Sequence, residues 1–596
     1  MKRGNLSKWA DINTCINLLF FSQLVNELLF DYSIPSNRIS TLNSHFLCYD
    51  ARNAIRSIER HGVPEGTLKP IIEELFVALD KDPAFDTSNK PTKYFVKYQN
   101  DKPRICSSIS ELNFDEMKKA TEAIHTHFFK ENQYYNQLKQ KIVGLVVNNN
   151  ETDQRNLFRL VKSLLTELIN SGYSIKYIQN VMTLLFWNPQ QPIQNPNTIE
   201  CFFDFFDFTK KEFTVVFVVN KQKTERFVKH IDSLVLIDSY SPKTSRKAEK
   251  NFLDKDNNQA FLQIKCTAYD RYKAAEHAKY IYFAYSALYR LSDHNYRYDI
   301  TGAKCGVYDN TDFYLVDQEL SGTSHTKTPS ANQIRESIAF SQKALNSLEE
   351  RSKTSDSASL IHAAQFHARS LDSSSSENQL LDLWAIFESI LNISNKHTSD
   401  RIHQVCMYLI PILKRKYIYS LFLQLSEDIK VYSQVEYDKI TGLASTEADV
   451  VQCIFDFVVL EDHKAERDKF LQTCADFPLM KERISYYEEV LSTPTKIYSF
   501  VEKHADRVRW QVMRIYRNRN LIIHNGKSMP YLDLLIENLH SYVDDFLNYV
   551  IHSVSEGHDF NSMYQALFVK ECEWLEDFSR NKNKLDEKIT KKVLAL

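Results

Sequence analysis

The chain has 596 residues, of which only 11 are Gly and 15 Pro, both well below ordinary usage. Tight turns and left-handed backbone positions lean on these residues, so an all-β sandwich or a propeller is disfavoured and long helices are expected. Neither G-x-G-x-x-G nor G-x-x-x-x-G-K-[ST] occurs, which leaves nucleotide chemistry of those kinds without its loop. Lys and Arg number 74 against 76 Asp and Glu, a net charge of −2. That balance excludes a uniformly basic nucleic-acid coat and permits a local basic patch. Ten scattered Cys form no close pair; they read as reduced, mostly buried thiols of a cytosolic protein, with no zinc knuckle and no metal or other cofactor called for.

Taken in chain order, the most apolar N-terminal stretch, Cys15 to Phe30, is interrupted by Asn17, Gln23, Asn26 and Glu27. It reads as a buried helix rather than a bilayer span, so no membrane partner is expected and the location is cytoplasmic. Residues 1–190 carry apolar residues three and four apart, clearest over Glu65–Asp80, Ser110–Val147 and Glu151–Ile169, and form a helical N-terminal region. Trp187 to Asn197 holds three prolines and many amides and marks a linker.

The period then changes. Glu200–Phe208 and Glu212–Val219 are aromatic and β-branched runs bounded by charge, and read as strands. Leu234–Asp238 and Phe261–Ala268 read as two more, followed by a helix from Asp270 to Leu291. Short strands near Tyr296–Tyr298 and over Asp312–Val316 close a small mixed α/β domain spanning 197–330. Gly322–Ser330 reads as a loop. Residues 335–596 are helical again, without an internal repeat, and Leu371–Asn378 is a polar break whose serines offer an N-cap to the next helix. The fold class expected is mainly α, with this small mixed α/β domain in the middle. The Phe run within Glu200–Phe208 suits buried strand positions better than a base-stacking platform.

The stretch with chemical content is Arg507 to Gly526, in which five arginines fall within thirteen positions. On a helix Arg519 and His524 leave the axis roughly 140° apart, so they share a face only where the helix loosens or ends. Asn525-Gly526 supplies an ending, because Asn and Gly accept the left-handed conformation of helix C-termini. A histidine in a last helical turn also gains stabilisation of its protonated form. Arginine suits phosphate through its planar fork and permanent charge, and histidine titrates near neutrality. An amide beside the arginine holds either group in place. This set suits attack of a ribose 2′-hydroxyl on the adjacent phosphate, with Arg519 stabilising the crowded phosphorus. The spacing alone is weak, since Arg56 and His61 repeat it in a segment where nothing else converges.

Arg519-Asn520-x-x-x-His524-Asn525-Gly526 resembles the R-N-x-x-x-H signature of HEPN ribonucleases, and more closely their Apea-like branch. In that branch an Arg- and Tyr-rich helix runs into the motif and a long apolar helix follows. Here the following helix is Tyr531–Val554, with Leu532, Leu535, Leu539, Val543, Phe546 and Val550 at core spacing. The family's earlier helix with Trp and Glu in an apolar frame is matched by Leu380–Leu391, which carries Trp384 and Glu388, and Ser399-Asp400-Arg401-Ile402 also fits. The resemblance covers about 335–560 and leaves 1–330 without a counterpart. Arg517-Asn518 also precedes His524 at a spacing that some HEPN proteins use; Arg519 is preferred.

The resemblance implies a C-terminal HEPN helical bundle over 335–596 that forms a homodimer and brings two motifs into one cleft. It implies a metal-independent endoribonuclease that leaves a 2′,3′-cyclic phosphate and serves antiviral abortive infection. The N-terminal part would sense infection or restrain activity, and the partners would be RNA (transfer RNA one candidate) and a phage-derived trigger. Arg519, Asn520 and His524 carry the catalytic roles; Arg514, Arg517, Asn525 and Glu388 are candidates for substrate binding. For Arg507, Arg509, Arg514 and Arg517 a solvated or ion-paired face competes with a phosphate-tracking patch. Glu388 either orients an arginine of the site or simply faces solvent. A non-catalytic regulator or RNA-binding scaffold built on the same bundle is the alternative, and an antitoxin-like partner of a nucleotidyltransferase a more distant one.

Overall fold

The computed structural model describes all residues except 2, 30–39, 62–63, 100–101, 230, 241, 243–245, 297–299, 310, 319–330, 351–353, 374, 392–397, 443, 582–583 and 595–596. The predicted loop Gly322–Ser330 and most of the predicted strand Tyr296–Tyr298 lie outside the described residues. The protein is mainly helical, and among the described residues antiparallel sheet is confined to two places. Among the described residues no helix is long and apolar enough to cross a membrane. All ten cysteines are free, and six are buried.

The chain divides into two compact units. One joins Met1–Glu167, Pro192–Asn197 and Ser321–Leu596; the other comprises Leu168–Gln191 and Thr198–Leu320. The N-terminal helices and the C-terminal bundle, expected as separate regions over 1–190 and 335–596, therefore share one unit. Residues 168–191 go with the sheet instead.

The N-terminal part of the first unit contains α1 (Ile16–Leu29), α2 (Ser44–His61), α3 (Lys69–Lys81), the hairpin β1 (Val96–Gln99) and β2 (Lys102–Ile105), then α4 (Phe114–Phe128), α5 (Gln133–Asn148) and α6 (Gln154–Ser171). The predicted helix Ser110–Val147 is split in two. Asn113 starts α4 with a reciprocal capping box to Glu116, and α5 begins afresh after Asn132. The hairpin has no counterpart in the sequence reading. Its strands are four residues each and β2 is exposed throughout, so no buried face writes an alternation into the sequence. The predicted linker runs irregularly after Trp187, and Ile193 pairs with the N-terminal segment, donating to Lys8 O at 2.8 Å and accepting from Ala10 N at 3.0 Å.

In the second unit come α7 (Ile175–Met182), α8 (Thr198–Phe203), β3 (Lys211–Asn220), α9 (Lys221–Val228), β4 (Leu234–Ile237), α10 (Lys247–Leu253), β5 (Gln259–Ala268), α11 (Arg271–Tyr289), β6 (Ile300–Tyr308) and β7 (Phe313–Asp317). The sheet among the described residues has five strands, all antiparallel, in the order β4-β5-β3-β6-β7. Central β3 is apolar on both faces. Phe213, Val215, Phe217 and Val219 join the core that includes α11, while Val216 and Val218 meet Phe261 on the other side. Gly306 on β6 faces the Phe313 ring so closely that a Cβ there would lie 2.4 Å from it. Glu200–Phe208, predicted as a strand, begins instead inside α8. Ile199, Phe202, Phe203 and Phe206 are buried at helical spacing, and the aromatic content had masked that period. Asp270 caps α11 by accepting from Tyr272 N and Lys273 N at 2.8 and 3.0 Å. The same carboxylate also takes Ser174 N at 2.8 Å and Ser174 Oγ at 2.9 Å.

The C-terminal part of the first unit continues with α12 (Ala331–Glu350), α13 (Thr354–Asp372), α14 (Ser376–Ile390), α15 (Thr398–Tyr432), α16 (Gln434–Thr441), α17 (Glu447–Val459) and α18 (Lys464–Thr473). It ends with α19 (Pro478–Val490), α20 (Pro494–Asn525), α21 (Leu532–Ser555), α22 (Phe560–Phe578) and α23 (Glu587–Leu594). Ser375 caps α14 by accepting from Asn378 N. Ser399–Ile402 opens α15; the side chains of Ser399 and Asp400 lie outside the described residues. Helices α20 and α21 each pack against α14 and α15.

Helix α1 is buried on nearly every side, which is why its sequence shows no clean polar face. Its Glu27 is wholly buried and takes both arms of Arg483 on α19, each at 2.6 Å. Removing one partner of such a pair leaves a charge stranded in the core. Glu27→Ala is therefore expected to destabilise the first unit by about 3–5 kcal/mol, and Glu27→Ala with Arg483→Met to recover most of that loss, read as melting temperature.

Candidate active site at the end of α20

Helix α20 starts at Thr493, whose side chain accepts from Lys496 N, with Pro494 in its first turn. Ile497, Val501, Ala505, Val508, Val512 and Ile515 form its buried stripe. In the last third, polar residues take over that stripe, Arg514 at 0% exposure and Asn518 at 1%. The helix is regular through Asn525 and stops at Gly526. That glycine adopts φ +59° and donates to Ile522 O at 3.0 Å, while Lys527 N reaches back to Leu521 O.

The buried arginine finds its partners on the N-terminal helices. Arg514 Nη2 donates to Glu74 of α3, and its Nε lies 3.5 Å from Asp50 Oδ2 of α2. Arg517 Nη2 donates to the same Asp50 oxygen at 2.7 Å, and the Tyr531 hydroxyl donates to Asp50 Oδ1 at 2.9 Å. Burial works against the Asp50 carboxylate, but Arg517, Arg514 and Tyr531 together hold it below its ordinary range. For Glu74 burial wins over Arg514, and the carboxyl is raised.

These contacts correct part of the sequence-based site. Arg514 is a core residue and does not reach a surface ligand. Arg517 keeps 22% side-chain exposure but is committed to Asp50. Arg519 faces differently: its Nη2 lies 3.4 Å from Glu388 Oε1 on α14, and its Nη1 donates to Asn520 Oδ1 at 3.2 Å. Glu388 Oε1 also accepts from the Trp384 indole at 3.0 Å, and the Trp384 ring packs on Tyr516 of α20 at 5.3 Å. Trp384 is thus a core residue that fixes the carboxylate that orients Arg519. His524 and Asn525 are exposed in the last turn, and His524 makes no hydrogen bond to a described residue. Because α20 stays regular past His524, Arg519 and His524 of one chain point roughly 140° apart.

The structure therefore brings together Arg519, Asn520 and Glu388, with Trp384 behind them. It leaves His524 and Asn525 pointing into solvent at the helix end. Asp50, Glu74 and Tyr531 were not legible as partners of this helix, since the carboxylates lie more than 400 residues away in the chain. Among the described residues no group of three or more His, Cys, Asp or Glu side chains is placed to hold a metal ion. Two surface indentations, one lined by Asp238, Tyr240, Lys250 and Phe261 and one by Phe85, Asn89, Phe128 and Gln140, include no residue of the motif. No family model, curated protein or solved structure matches the chain.

Asp50 is the hub of these contacts, and its replacement by Asn is expected to cost about 3–5 kcal/mol at neutral pH, since Arg514 and Arg517 lose their shared counter-charge. A carboxyl depressed in the folded state contributes stability above its ordinary value and loses it as pH falls through and below 3.8. The acid limb of a melting-temperature profile should accordingly be shallower in Asp50→Asn than in the wild type.

Proposed function

We propose that the chain is a HEPN-type endoribonuclease that cuts RNA without a metal ion and serves antiviral defence by abortive infection. The observation that carries this reading is the sorting of the arginines on α20. Arg514 and Arg517 are drawn to buried carboxylates, while Arg519, directly before Asn520, is held by Glu388 five residues ahead of an exposed His524 that has no hydrogen bond to a described residue. A helix end with one oriented guanidinium and one free imidazole suits phosphodiester transesterification. The 2′-oxygen gives up its proton and bonds to phosphorus, the 5′-oxygen leaves with a proton, and a 2′,3′-cyclic phosphate remains. Arg519 stabilises the charge on the phosphorane oxygens, and His524 carries a proton as acid or base.

The divergence of Arg519 and His524 within one regular helix supports a site shared between two copies, each supplying one motif to a common cleft. The C-terminal bundle would be the nuclease and the remainder its sensor or restraint. Glu388 acts through Arg519 and is a positioning residue.

Purified wild type, Arg519→Ala and His524→Ala should be compared on labelled RNA with EDTA present. Each substitution is expected to lower cleavage by at least about 10²-fold, with cyclic-phosphate ends on the wild-type products and no effect of the chelator. Glu388→Gln should cost less than either. Wild-type protein that leaves RNA intact in the presence of infected-cell extract would favour the scaffold reading, and loss of cleavage on adding EDTA would overturn the metal-free chemistry.

A further inference from the structure

The N-terminal part of the first unit holds an indentation of about 160 Å³ between the turn after α3 and the helices α4 and α5. Ala84, Phe85 and Phe128 form its apolar wall. All three are buried, and the two rings meet edge to face, 5.3 Å apart at 82°. The turn is fixed from behind. Asp82 accepts from Ala84 N at 3.0 Å, and from Ser44 Oγ of α2 and the Tyr134 hydroxyl of α5 at 2.6 Å each. An indentation held in this way exists before any ligand arrives, so little ordering is left for binding to do.

The rim is made of amides. Asn89, Gln137 and Gln140 border the indentation, and none of their side chains hydrogen-bonds to a described residue. Gln137 Oε1 is also closed off from solvent, a costly state for a carboxamide oxygen. With no partner at either end, that amide is free to turn its oxygen or its nitrogen towards a group seated beside it. Lys141, on the same rim, is paired with Asp86, so the two charges there cancel.

We propose that this indentation is a nucleobase site and that the base is adenine. Its apolar wall extends an edge-to-face stack to a third flat ring. Each carboxamide sets an acceptor beside a donor, the complement of adenine N6 and N7. Sugars and phosphates fit less well. The space is smaller than the ~300–1,000 Å³ of ordinary ligand sites, so it takes a base and leaves ribose and phosphate outside. A saturated sugar would turn hydroxyls towards Ala84, Phe85 and Phe128, which offer them no partner, and Lys141 is already committed to Asp86. Free adenine, a nucleotide and an unstacked base of RNA all present the same edge. The proposal is independent of the nuclease reading, since no residue of the indentation belongs to the motif.

The test is calorimetric titration of the full chain with adenine, AMP and UMP, followed by competition with a 2′-O-methylated oligoadenylate, which cannot be cut through its own 2′-oxygen. Adenine and AMP are expected to bind alike, and UMP at least about 10-fold more weakly. If the oligoadenylate displaces adenine, a base of RNA is a source; if it does not, the free base or nucleotide is the ligand. Gln137→Leu removes an amide that has no partner and should melt at or above the wild-type temperature without ligand. It should bind adenine about 10-fold more weakly, or ~1.4 kcal/mol, whereas Asn136→Leu, one residue along α5 and outside the lining, should bind as the wild type does. Adenine that fails to bind up to millimolar concentration, equal binding of AMP and UMP, or unchanged affinity in Gln137→Leu would each overturn the proposal.

Discussion

A single buried carboxylate, Asp50, fixes what α20 presents to solvent. The helix carries five arginines in thirteen positions, and a helix of that kind could turn several faces outward. Asp50 chooses between them by accepting from Arg517 and Tyr531 and lying against Arg514, whose other arm goes to Glu74. With those two guanidinium groups drawn inward, the rotation of α20 is set, and Arg519 is left facing Glu388. Packing of Trp384 on Tyr516 then holds α14 and α20 in register, so a choice made in the core is transmitted to the helix end.

Charges in the first unit are handled in three ways. Glu27 with Arg483, and Asp50 with Arg514, are buried pairs: they lend specificity to the fold and are costly to break one side at a time. Arg519 with Glu388 is a part-exposed pair that orients the guanidinium. Lys81, Arg159, Lys162, Lys503 and Arg507 form no ion pair with a described residue. A near-neutral composition conceals all three arrangements, because net charge says nothing about where the opposite charges meet.

Local pattern was the legible part. Helices α11, α14 and α21 lie close to where periodicity places them, as do strands β3, β5 and β7, and the Leu532, Leu535, Leu539, Val543, Phe546 and Val550 stripe is buried. Gly526 caps α20 as its glycine suggests, although α20 begins at Pro494, well before the arginine-rich stretch. Aromatic content misled at Glu200–Phe208, where helical spacing was present but overruled by β-propensity. The hairpin β1–β2 left no mark because its strands are four residues long and β2 is exposed throughout. Nothing local tells that Arg514 meets Asp50, which is a fact of tertiary contact between segments hundreds of residues apart. Arg519, Asn520 and His524 were legible as a sequence pattern, while the contact of Glu388 with Arg519 was legible only as one of two alternatives for that carboxylate.

The order of segments along the chain also bears on how the molecule is made. The unit built on the five-stranded sheet is encoded between the long N-terminal and C-terminal segments of the other unit, so Glu27 must wait for a partner 456 residues downstream. At ordinary synthesis rates of about 5–20 residues per second that interval is roughly half a minute to a minute and a half. Until Arg483 emerges, Glu27 lacks the guanidinium that meets both of its oxygens. Asp50 waits longer still for Arg514. The helix end bearing Arg519 and His524 is translated after Arg514 itself, so a chain truncated before α20 lacks it altogether.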